Sequence, residues 1–88
     1  MVVVQSEPFL RSRIPTVLAV PLSWNLRLAE APGNVLVRAP DSALPRDSVV
    51  LVSQLLTLER RHLRETGSRL AEGLRAQVDQ GLRVVLGL

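Results

Sequence analysis

Residues 16–23 read TVLAVPLS, Thr16 to Ser23, and the way this run folds decides the rest of the chain. Its aliphatic and β-branched residues, without helical spacing, describe a strand buried on both faces. Pro21 marks a bulge or edge position within it, because proline has no N–H to give to a ladder. Toward the N-terminus, SEPFLRSRIP (6–15) contains two prolines and reads as a loop that cannot pair as a regular strand. Before it, Val2 to Gln5 forms a first apolar strand that begins with no polar lead-in. Toward the C-terminus, WNLRLAEAPGN (24–34) is a connection that closes on the Pro32-Gly33-Asn34 turn signal. Val35 to Val37 is then a short strand, APDSALPRD (39–47) a third loop, and Ser48 to Val52 a further strand.

The stretch QLLTLERRHLRETG (54–67) admits two readings, since Leu55, Leu58 and Leu63 stand near helical spacing while LLTL alone fits a strand. Its neighbour is clearer. From Ser68, read as an N-cap, Leu70, Leu74, Val78, Leu82, Val85 and Leu86 keep to one face of a helix. Asp79 with Arg83 and Glu72 with Arg75 have the spacing of ion pairs on its outer side. Gly73 and Gly81 would each cost about 1 kcal/mol against alanine in a helix interior, so close packing is expected at both. The outcome is one domain, residues 1–88, with four or five short strands followed by a helix laid against them. This is an α+β or small-barrel arrangement.

Composition narrows the chemistry. A chain of 88 residues buries only roughly 60–65% of its unfolded surface, so a partner chain would add to a thin stability margin. The net charge is +3, carried wholly by arginine because the chain has no lysine. With no cysteine, disulfides, thiol catalysis and thiolate metal sites are excluded, and with a single histidine and no lysine histidine-rich metal hydrolysis and Schiff-base chemistry are hard to build. No apolar run is long enough to span a bilayer and no signal peptide opens the chain, so a cytoplasmic location is expected, with no membrane partner. Phosphate-binding loops, dinucleotide fingerprints and metal-ligand spacings do not occur, and neither metal nor other cofactor is expected.

Three places remain where chemistry can reside. His62, among Arg60, Arg61 and Arg64, reads as a solvated surface residue, since no group is identifiable that would orient it as a base. Trp24 and Phe9 are the only aromatic residues and both fall in or beside loops, where base stacking is one use for them. Ser23 closes the buried strand, and taken alone its hydroxyl is expected to bond nearby backbone.

Taken in order, VVVQSE, TVLAVPLSWN, APGNVLV, LPRDSVVLVSQLLTLERRHL and VDQGLRVVLGL resemble the MazF/PemK family of toxin endoribonucleases from toxin–antitoxin pairs. Each segment is weak by itself; their collinear order along the whole chain is specific, and PRDSVV followed by SQLLTL is its most telling part. The resemblance implies a mainly β fold with a C-terminal helix, an SH3-like small barrel of the MazF/PemK/CcdB type, assembled as a homodimer. It also implies that LLTL is strand, that ERRHL is a short helical turn, and that the long helix begins near Leu70. Family members cut single-stranded RNA at short sequences without a metal, with the ribose 2′-hydroxyl as nucleophile. Their cognate antitoxin is a second implied partner.

The same resemblance assigns residues. Ser23 stands at the family's catalytic threonine and keeps the hydroxyl that can donate to a phosphoryl oxygen. Asn25 stands at a position suited to base-edge or phosphate contact, Gln54 matches a glutamine near the RNA groove, and Trp24 and Arg11 are further RNA-binding candidates, with Arg13 beside Arg11. The family's Arg-Pro pair, its first strand and a glycine-rich loop are expected ahead of Met1. Read this way, the chain is incomplete at its N-terminus and short of a charged group whose loss costs on the order of 100–1000-fold in rate. Two other functions compete with a working toxin: a non-catalytic remnant that dimerises and binds antitoxin, and a gyrase poison of the CcdB type. The latter depends on a tryptophan near the C-terminus, where this chain has VVLGL.

Overall fold

The computed structural model describes residues 1–42, 44–62 and 71–88. TVLAVPLS is not one strand but two. Thr16–Val20 forms β2 and Leu22–Ser23 forms β3, and the two belong to different sheets. The first sheet has the order β1-β2-β6, with β1 at Val2–Val3 and β6 at Leu56–Glu59; the second has the order β3-β5-β4, with β4 at Val35–Val37 and β5 at Ser48–Val50. Every pairing is antiparallel. Pro21 is the corner between the sheets, as a residue without an N–H can be where a ladder ends. Its carbonyl accepts from the Leu51 N–H at 2.8 Å, where the chain leaves β5 and returns through the turn Val52–Gln54 to β6. One hydrogen bond thus clasps both crossings. The result is a mainly β, small barrel-like fold with a C-terminal helix.

This division changes how β2 is buried. Val17, Ala19 and Val20 are enclosed, but Leu18 is 36% exposed, so the strand has one covered face with a reinforced end rather than two covered faces. Where β1 stops, the Gln5 side chain continues the ladder by accepting from the Leu18 N–H at 2.9 Å. The core is almost wholly valine: Val20, Val35, Val37, Val50 and Val52 from the strands and turns, with Val78 from the helix. Branched side chains stiff at χ1 suit short strands packed this tightly.

The stretch 6–15, expected as a loop, contains the helix α1, Glu7–Arg11, with Pro8 in its first turn. There the missing N–H costs nothing and the fixed φ is helical. Arg60 secures the other end. Its guanidinium donates to the carbonyls of Phe9 at 2.8 Å, Leu10 at 2.7 Å and Ile14 at 2.9 Å, adding a charged donor to acceptors at the end of α1 and its exit, of which Phe9 also accepts from Ser12.

The C-terminal helix α2 spans Glu72–Leu86 with Ala71 at its N-cap; Ser68 and Leu70 lie outside the described residues. The strand reading of LLTL holds from Leu56, with β6 running to Glu59 while Leu55 closes the preceding turn, and Arg60–His62 is a 3-10 turn within the expected ERRHL, whose Leu63 lies outside the described residues. Of the anticipated apolar face, Val78 is buried and Leu74, Leu82 and Val85 pack against the core, whereas Leu86 is 52% exposed near the helix end. The two glycines behave differently. A Cβ on Gly81 would run into the carbonyl oxygen of Gly33, itself at φ +86°, whereas a Cβ on Gly73 would meet none of the described residues within 4 Å. Gly81 lets the helix backbone settle on the turn; packing gives no reason for Gly73. The described ion pairs are Glu7–Arg11, Arg38–Asp47 and Glu59–Arg61, so Asp79–Arg83 and Glu72–Arg75 are spaced to pair but do not. Among the described residues no helix is long and apolar enough to cross a membrane.

Candidate nucleic-acid interface

Antiparallel pairing of β3 with β5 sets Ser23 opposite Val49 and Leu22 opposite Val50. Past the last pair the two segments run on as Trp24-Asn25 and, in the opposite direction, Ser48-Asp47-Arg46, and the Arg46 guanidinium comes over the Trp24 ring. This strand end is where the chain gathers polar side chains. The Ser23 Oγ accepts from the Asn25 N–H at 3.1 Å, so the expectation of a local backbone bond is met on the acceptor side. Among the described residues nothing takes its proton, and the hydroxyl retains a donor. The Asn25 Oδ1 in turn accepts from the Arg27 N–H at 3.2 Å and caps the 3-10 turn Leu26–Glu30, which leaves the amide NH₂ facing outward from an exposed residue.

Trp24 is 60% exposed, and the Arg46 guanidinium lies 4.3 Å from the centroid of its ring. Arg46 was not among the sequence candidates. The signal existed only as a lone arginine in LPRDS, and no periodicity links positions 24 and 46; the pairing of β3 with β5, strands that are not consecutive in the chain, makes them neighbours.

Asn34 is a second omission. Its Nδ2 donates to the Leu28 carbonyl at 2.9 Å, and its Oδ1 accepts from the Ser53 N–H at 3.0 Å and the Ser53 Oγ at 2.9 Å. One side chain therefore ties the connection after Asn25 to the turn that ends at Gln54. The turn signal of APGN was legible, but the long-range bonds were not. Gln54 is exposed at the end of that turn, its N–H bound to the Leu51 carbonyl at 2.9 Å and its side chain directed to solvent.

Arg11 and Arg13 stand elsewhere. Arg11 lies on α1 in an ion pair with Glu7 at 3.0 Å, with 80% of its side chain exposed. It sits at the Thr16 end of β2, and five residues of strand, at a rise of about 3.3 Å each, separate that end from Ser23. The fold brings Ser23, Trp24 and Asn25 together with Arg46, ties the turn that carries Gln54 to the connection after Asn25 through Asn34 and Ser53, and leaves Arg11 with a different surface. His62 is exposed in the 3-10 turn after β6. A cleft of about 220 Å³ between α1 and the first sheet, lined by Phe9, Ile14, Leu18 and Thr57 among others, also belongs to the Arg11 end.

Fold and strand end together define a small mainly β domain that presents its hydroxyl, amide, indole and guanidinium groups at the rim of its second sheet. The family model described as "PemK-like, MazF-like toxin of type II toxin-antitoxin system" matches residues 1–86. Endoribonuclease MazF2 of Mycobacterium bovis and endoribonuclease MazF6 of Mycobacterium tuberculosis are each 42% identical to the chain over 88 residues, which is 100% of this chain and 77% of the relative. The chain belongs to the PemK-like, MazF-like toxin family. By family it is an endoribonuclease toxin.

Proposed function

We propose that the chain is the toxin of a toxin–antitoxin pair, cutting single-stranded RNA without a metal by making the ribose 2′-hydroxyl the nucleophile. In that reaction the 2′-oxygen forms a bond to phosphorus while the bond to the 5′-oxygen of the next nucleotide breaks. The leaving oxygen gains a proton and the 2′-hydroxyl loses one, giving a 2′,3′-cyclic phosphate and a 5′-hydroxyl end. The protein has to polarise the phosphate and offset the charge that builds on its oxygens.

The observation that carries this reading is the Ser23 hydroxyl. Its lone pair is engaged by the Asn25 N–H at 3.1 Å, which strengthens the hydroxyl as a donor, and its proton is available to a phosphoryl oxygen. Asn25 and Gln54 would supply amide contacts to phosphate or base edges, and Trp24 a stacking surface. Arg11 would meet RNA only along a path that runs past the far end of β2. The remaining partners of this reading are the cognate antitoxin and a second copy of the chain, in the cytoplasm; family membership supports them.

No Arg-Pro dipeptide occurs in the 88 residues, so the cation paired with the hydroxyl in the family chemistry is not supplied by this sequence. Cleavage by this polypeptide alone should be slower on the order of 100–1000-fold. A second reading is a dimerising chain that binds antitoxin without cutting.

The two separate in one assay. Purified chain incubated with single-stranded RNA in EDTA should leave cyclic-phosphate ends at a defined short sequence, and Ser23→Ala should lower the rate by about 100-fold or more while Ser23→Thr retains it. Loss of cleavage on chelation would remove metal independence. Antitoxin binding with no cleavage at any enzyme concentration would leave the non-catalytic reading.

A further inference from the structure

We propose that Arg46 and Trp24 form a single binding element, in which the open face of the indole takes an unpaired nucleobase and the guanidinium behind it contacts the adjoining phosphate. The inference rests on the RNA reading and deepens it by naming the residue that completes the contact. With Arg46 covering one face of a ring that is still 60% exposed, the opposite face is the one left to solvent. A flat π surface backed by a cation suits a base with a phosphate beside it. The indole accepts any base, and the charge holds the backbone.

Three features keep Arg46 available for this. Its neighbour Asp47 is committed elsewhere, accepting from the Ala39 N–H at 2.7 Å and pairing with Arg38 at 3.5 Å. Among the described residues no carboxylate pairs with Arg46 itself. Its backbone is held from beneath, because the Ser48 hydroxyl, on a residue only 1% exposed, donates to the Arg46 carbonyl at 3.0 Å. The guanidinium is therefore presented from an anchored entrance to the strand that pairs with the one ending at Ser23.

Trp24 is the single tryptophan of the chain, so its emission reports this element alone. The test titrates the chain with a fluorescein-labelled, mixed-sequence 2′-O-methyl oligoribonucleotide, which binds but cannot be cut, and reads tryptophan emission and label anisotropy together. Binding should quench Trp24. Trp24→Ala should weaken binding about ten- to a hundredfold, and Trp24→Phe should recover much of it. Arg46→Gln should lower the slope of log K against log salt by about 0.7, the share of one single-strand phosphate, and Arg46→Lys should restore that slope. A blunt duplex of equal length should leave Trp24 emission unchanged, since its bases are already stacked. If anisotropy rises while Trp24 emission stays constant, or if Arg46→Gln leaves the salt slope intact, the inference is overturned and RNA binding stands. If anisotropy does not change at all, the RNA reading itself fails and this inference falls with it. Circular dichroism of each variant confirms the fold; both residues are exposed and carry little of it.

Discussion

The two ends of β2 are built on opposite principles. At the Thr16 end, Arg60 gives three hydrogen bonds to the carbonyls of Phe9, Leu10 and Ile14, and its own N–H binds the Pro15 carbonyl at 2.8 Å. At the other end, past Pro21, the side chains of Ser23 and Asn25 accept from local backbone and donate to nothing among the described residues, and Arg46 rests on an exposed indole without a carboxylate partner among them. Two arginines of one chain are thus put to different uses. One spends its donors inside the fold, and the other keeps them. The end whose donors remain unspent is the end with binding capacity, since a group already satisfied gains little from a ligand.

Substitutions can break or sharpen that contrast. The largest effect is expected where backbone meets backbone. Gly81→Ala drives a methyl group into the Gly33 carbonyl and should cost about 3 kcal/mol, read as a lower urea midpoint at unchanged slope. Arg60→Ala should cost about 2 kcal/mol, because it leaves three carbonyls without their charged donor; Arg60→Lys should not restore the loss, since a point ammonium cannot reproduce the planar fork. Gly73→Ala, on the same helix as Gly81 but with open space at its Cβ among the described residues, should instead stabilise by about 0.5 to 1 kcal/mol. The smallest effect belongs to the open end, where Trp24→Ala should shift stability within about 0.5 kcal/mol while acting on RNA binding. A loss at Trp24 as large as that at Arg60 would show that the exposed pair is structural and erase the contrast.

Much of the fold was legible in patterns that are local. The strands at Val35–Val37 and from Ser48 onward, and the helix face of Leu74, Val78 and Leu82, follow from β-branched runs and helical periodicity. The candidate site was legible in part: Ser23, Trp24 and Asn25 are consecutive, so their proximity needs no fold. Arg46 and Asn34 were not, because each reaches its partner across roughly twenty residues of chain, and no sequence period encodes a strand pairing of that span. The prolines of 6–15 argued for a loop because they forbid strand pairing, yet Pro8 also suits a first helical turn, and Arg60 from the distant 3-10 turn after β6 made that helix tenable.

By itself, then, the sequence determined a small, valine-cored, mainly β chain with a closing helix, and through its collinear motifs the toxin family to which it belongs. Those properties rest on side-chain shape and short-range periodicity, which every local window carries. Only the tertiary structure decided that TVLAVPLS turns a corner at Pro21, that Gly81 rests on Gly33 while Gly73 touches nothing described, and that Arg46 rather than Arg11 stands beside Ser23 and Trp24. Each of these is a long-range contact, fixed when two sheets close around one core, and no local segment specifies it alone.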